Sequence, residues 1–148
     1  MYFDEIELHM TVKTKPVEIK KEQILSFGFQ YDPLLLHTDE DYAKTTRFGD
    51  LIAPGVMSFM LVWSEYLRIC PFVKNFLAGK STSMEWHKPV YAGDVLTGIC
   101  EVTKLVKRGR SNGIVEVTVS VYNQDQALVL TDVTEVIVHC NPDIFPEN

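Results

Sequence analysis

The chain has 148 residues, a size that favours one domain and buries about 68–70% of its unfolded surface without disulfide or metal staples. Apolar residues make up 46% and charged residues 23%, which excludes intrinsic disorder, collagen-like repeats and low complexity. The formal net charge of −6 argues against a general nucleic-acid binder or a polybasic membrane-surface protein.

Three cysteines, Cys70, Cys100 and Cys140, show no metal-ligand spacing, and their odd number predicts free thiols and a reducing compartment. The start of the chain is acidic and lacks an apolar signal core. The longest uncharged apolar stretch, Leu51 to Ser64, falls short of the roughly 20 residues of a membrane span. The expectation is a soluble, cytoplasmic, single domain over residues 1–148. Pro142 and Pro146 mark a loose tail over 141–148.

In chain order, Ile6 to Val12 alternates apolar and polar residues and predicts a half-buried strand. Val17 to Phe29 predicts a short strand and then a helix with Ile24, Leu25 and Phe29 on its apolar face. Tyr31-Asp32-Pro33 ends that helix, because a residue before proline is pushed out of the α region. Thr38 or Asp39 caps a following helix that runs to about Thr46 and stops by Gly49. Pro54-Gly55 opens a second helix, through roughly Cys70, that is apolar nearly all round and calls for burial on most faces. Four strands follow: Ser81 to Val90, Val95 to Val106, Gly113 to Tyr122 and Ala127 to His139. Polar turns at Arg108 to Gly113 and Asn123 to Gln126 suit antiparallel hairpins. The pattern is α+β, one long apolar helix with an antiparallel sheet curled around it.

Two blocks carry chemistry. The first is Asp32-Pro33-Leu34-Leu35-Leu36-His37, followed by Asp39, Phe48-Gly49 and Ile52-Ala53-Pro54-Gly55. The second is Lys88-Pro89-Val90-Tyr91-Ala92-Gly93-Asp94. An Asp paired with a His can activate water and move its proton. A backbone N–H at a helix start can stabilise an oxyanion, and Gly55 leaves room for a ligand because it has no Cβ. Together the blocks resemble the MaoC-like, (R)-specific enoyl-CoA hydratase family of the hotdog fold. Leu34 stands where that family has Asn or Gln, and Pro54 where it has His or Ser.

The resemblance implies a single hotdog domain acting as a hydratase or dehydratase on an acyl thioester, between trans-2-enoyl-CoA and 3-hydroxyacyl-CoA. Asp32 and His37 match the catalytic pair, and Gly55 matches the donor to the thioester carbonyl. Leu34, Met57 and Trp63 are candidates for the pocket lining. The implied partners are acyl-CoA and further copies of the chain, as a homodimer or higher homo-oligomer. No metal or other cofactor is implied. Two rivals stay open: a hotdog thioesterase, and a non-catalytic acyl-CoA-binding module or subunit of a hetero-oligomeric hydratase. Asp39 reads as a helix cap. Lys104, Lys107, Arg108 and Arg110 read as a solvated hairpin tip or a contact for coenzyme A phosphates, the former favoured.

Overall fold

The computed structural model describes residues 1–144. Two short strands, β1 (Thr11–Lys13) and β2 (Val17–Glu18), precede three helices, α1 (Lys21–Tyr31), α2 (Leu35–Thr38) and α3 (Glu40–Thr45). The long helix α4 (Gly55–Ile69) is followed by strands β3 (Phe76–Trp86), β4 (Val95–Arg108), β5 (Asn112–Tyr122) and β6 (Leu128–His139). Every strand pairing is antiparallel. The sheet order is β1-β4-β5-β6-β3, and β2 pairs with the start of β4.

Strand β5 forms where period-two alternation is cleanest. In β5 every second residue points inward, and Val115, Val117, Val119 and Val121 are all fully buried. β-branched side chains suit such a pleated, one-face-buried surface. Against this face lies α4, which buries Met57, Ser58, Phe59, Val62 and Tyr66. Gly98 of β4 marks a close approach: a Cβ there would stand 2.5 Å from Val62 Cγ1. Absence of a side chain at this position brings helix and sheet together.

Titratable groups in this core are partnered or held neutral. Burial pushes the Tyr66 hydroxyl up, and that hydroxyl accepts a hydrogen bond from Cys70 Sγ. Burial also pushes the Cys100 thiol up to about 12. Asp132 of β6 is fully buried and receives hydrogen bonds from the hydroxyls of Thr82 and Thr134, each at 2.5 Å. Burial raises its carboxyl above the usual carboxylate range, against the lowering effect of those two donors. The three cysteines are free and buried.

Three expectations need correction. The alternation from Ile6 to Val12 is not one strand: His9 takes a positive φ of 68° and its N–H bonds the Val102 carbonyl, so pairing begins only at Thr11. Phe29 does not join the inner face of α1. Ile24 and Gly28, four residues apart, face inward, and Phe29 is 66% exposed. Helix α4 is buried on most faces, as expected, and leaves Val56, Met60 and Ile69 exposed. The first long strand starts at Phe76 and ends at Trp86, so Lys88-Pro89-Val90 lies in a connection. Of the expected tail, Pro142–Ile144 forms a short 3₁₀ turn, and the rest falls outside the described residues. No helix among the described residues is long and apolar enough to cross a membrane.

Candidate active site

Helix α1 stops at Tyr31, and the Asp32 N–H closes it by bonding the Gly28 carbonyl at 3.0 Å. Pro33 then turns the chain into α2, a helix of one turn that carries His37. Gly28 permits this return: a Cβ on it would lie 3.1 Å from both His37 Cβ and Thr38 Cγ2. Two reciprocal hydrogen bonds fasten α2 to the strand-like segment before α4. The Ile52 N–H donates to the Leu36 carbonyl at 3.1 Å, and His37 Nδ1 donates to the Ile52 carbonyl at 2.6 Å. The Ala53 N–H in turn bonds the Val90 carbonyl at 2.7 Å. The Lys88-Pro89-Val90 block thus anchors the entry to α4, and His37 is held beside that helix's N-terminus.

The Nδ1 bond fixes the histidine tautomer. A carbonyl oxygen only accepts, so Nδ1 carries a proton, and in the neutral ring Nε2 presents its lone pair. Nε2 stands 3.3 Å from Asp32 Oδ2. The ring is buried and the carboxylate is partly open to solvent. Two acceptors therefore converge on one point, and a molecule with two O–H groups can satisfy both.

Asp32, His37, Gly55, Ser58, Trp86 and Val90 contribute to the wall of one cavity of about 440 Å³. Arg47, His87 and Lys88 border the same cavity and make that border basic in an acidic protein. The Gly55 N–H is among the first-turn donors of α4 that have no partner within the helix. Contrary to the sequence expectation, the room left by its missing Cβ is not open to a ligand. The Trp86 indole fills it, with Nε1 only 2.0 Å from where a Cβ would stand. Gly55 thus serves first to let Trp86 close over the helix start.

The structure brings Asp32, His37 and Gly55 to one cavity. It places Leu34, Met57 and Trp63 elsewhere. Leu34 precedes α2 and points outward, 56% exposed. Met57 faces the groove between α4 and α1, and Trp63 the groove between α4 and β3. A helix distributes residues around its axis, and only Gly55, Val56 and Ser58 of α4 reach the cavity. Asp39 caps α3, accepting from the Tyr42 N–H at 2.9 Å. In the basic hairpin, Lys107 pairs with Asp4 and sits over the Phe3 ring. Sequence reading missed Trp86 and Ser58. The glycine at the α4 start, a site for close packing, was the only signal toward Trp86. A hydroxyl in an apolar helix gave none for Ser58.

The long helix packed on an antiparallel sheet is the hotdog fold. A family model for the FAS1-like dehydratase domain region matches residues 9–132. The uncharacterized protein YdeM of Bacillus subtilis (strain 168) is 30% identical over 139 residues, covering 93% of this chain and 99% of YdeM. The MaoC-like dehydratase from Rhodospirillum rubrum superposes with a TM-score of 0.87 at 21% identity, over 96% of this chain and 99% of that one. The R-hydratase PhaJ1 from Pseudomonas aeruginosa gives 0.76 at 23% identity, over 95% and 86%. The chain belongs to the family of the FAS1-like dehydratase domain region, and its fold is the hotdog fold of the solved structures it superposes on.

Proposed function

We propose that the protein hydrates trans-2-enoyl thioesters of coenzyme A and, in reverse, dehydrates the 3-hydroxyacyl thioesters. The observation that carries this reading is the pair of acceptors, His37 Nε2 and Asp32 Oδ2, facing each other 3.3 Å apart on the cavity wall. A water donating one O–H to each is oriented with an oxygen lone pair free for attack. As its oxygen bonds the substrate β-carbon, one O–H proton passes to the pair. The electrons of the α,β double bond move onto the thioester oxygen, and the Gly55 N–H supplies a donor to that oxygen. As the thioester carbonyl re-forms, the α-carbon takes that proton from the pair, so that one water is added and no group leaves. Membership in the family of the FAS1-like dehydratase domain region and a fold shared with the R-hydratase PhaJ1 support the same chemistry. The basic border of Arg47, His87 and Lys88 suits the phosphates of the carrier.

The reading includes a second copy of the chain as partner. β3 is the outermost strand of the sheet, eleven residues long, and its free edge is a template for pairing. Beside it runs an apolar groove of about 540 Å³ between α4 and β3, flanked by the exposed Met60 and Val56.

The test is a panel of trans-2-enoyl-CoAs followed by enoyl absorbance and free thiol together. The expected result is loss of absorbance with no thiol. Thiol release would indicate a thioesterase instead, and binding without turnover a carrier-binding subunit.

A further inference from the structure

Among the described residues, two buried side-chain polar atoms have no hydrogen-bond partner, Asn112 Oδ1 and Ser58 Oγ. Buried hydroxyls are normally partnered, so an orphan calls for an explanation. Ser58 is fully buried and lines the cavity that holds Asp32 and His37. It stands three residues after Gly55 on α4, on the same helix face and one turn deeper. Its own N–H is already bonded to the Pro54 carbonyl at 3.1 Å. The same cavity wall also carries the apolar Ala53, Val90 and Leu130. Its partner therefore comes from whatever fills the cavity.

The chemistry of an enoyl thioester narrows that partner. Both O–H groups of the attacking water are engaged as donors to Asp32 and His37. The thioester carbonyl oxygen has two lone pairs, and the Gly55 N–H satisfies one. The second can take a further donor, and the buried, unpartnered Ser58 hydroxyl one turn along the same helix face can supply it. We propose that Ser58 Oγ donates a hydrogen bond to the thioester carbonyl oxygen of the bound substrate, completing a two-donor oxyanion site with Gly55. This assignment rests on the reading of the cavity as an acyl-thioester site. Charge grows on that oxygen as water adds, so the donor acts more strongly on the transition state than on the bound substrate.

An orphan hydroxyl that serves a ligand has an unusual signature: its removal lowers activity without lowering stability. Ser58→Ala should keep or raise Tm. Turnover of trans-2-hexenoyl-CoA should fall about 10²–10³-fold in kcat, the usual loss for one oxyanion donor, with little change in KM. The deciding measurement does not need turnover. Bound hexanoyl-CoA labelled with carbon-13 at the thioester carbonyl should show its infrared band at higher frequency in Ser58→Ala than in the unsubstituted protein. Ser58→Cys, of similar shape and a weaker donor, should lie between them. Should Ser58→Ala fail to fold, the Cys variant alone decides by the same shift. The same band position in variant and unsubstituted protein overturns the assignment, as does failure of the unsubstituted protein to bind hexanoyl-CoA. A band shift without hydration of any enoyl-CoA would uphold the Ser58 contact and end the hydratase reading. Hydration with an unmoved band would do the reverse.

Discussion

At the scale of single residues, two kinds of polar burial coexist in this core, and they predict opposite responses. Ser58 is an orphan at a cavity, whereas Asp132 is enclosed and served by two threonine hydroxyls. Burial raises the Asp132 carboxyl in the folded chain above its unfolded value. The folded state therefore binds that proton more tightly than the unfolded state. The resulting stabilisation is full below the unfolded value and is lost as pH rises through the folded one. Asp132→Asn cannot titrate, so its stability relative to the unsubstituted protein should grow between acidic and neutral pH. Urea unfolding of both proteins at a series of pH values checks this, and parallel curves would refute it. Trp86 makes a related point about Gly55. Since the indole occupies the space a Cβ would need, a substitution there moves Trp86 before it touches any substrate.

At the scale of elements, the parts legible in the sequence are those whose pattern is local. Strands β4 to β6 announce themselves by alternation, and α4 by its apolar run after Pro54-Gly55. The misreadings fall where a tertiary contact overrides the local pattern. Ile6 to Val12 keeps its alternation across a turn at His9, because the chain reverses there to bond Val102. Helix α1 presents Gly28 inward instead of Phe29, because α2 must dock on it and only a glycine admits His37 so closely. The spacing of Asp32 and His37 was readable. The clamp through Ile52 that sets the imidazole was not, since hydrogen bonds to backbone carbonyls leave no mark on sequence. Glycines record such contacts indirectly. Gly98 is the clearest case, and Gly98→Ala should cost about 1–3 kcal/mol by forcing α4 away from β4 at Val62. Chemical denaturation measures this directly. A loss below 0.5 kcal/mol, roughly the scatter of neutral surface changes, would show that the helix shifts freely.

At the scale of the whole molecule, the fold leaves one long edge and one apolar groove beside it, and a single partner copy can cover both. The protein should sediment as at least a dimer at micromolar concentration. Met60 is half exposed on the groove, so Met60→Glu would bury a charge in the joint, and this variant should sediment as one chain. An unsubstituted protein with the mass of one chain would contradict this assembly. The second claim at this scale is that α1, α2 and the start of α4 act together to bring one carboxylate and one imidazole onto one water. The direct measurement is the rate of enoyl-CoA hydration by the unsubstituted protein, Asp32→Asn, His37→Ala and the double variant, with substrate binding checked for each. Each single change should cost about 10²–10⁴-fold, and the double variant little more than the worse single one, because groups acting as a unit are non-additive. Equal hydration rates for the unsubstituted protein and an Asp32→Asn variant that binds the same substrate would contradict the account.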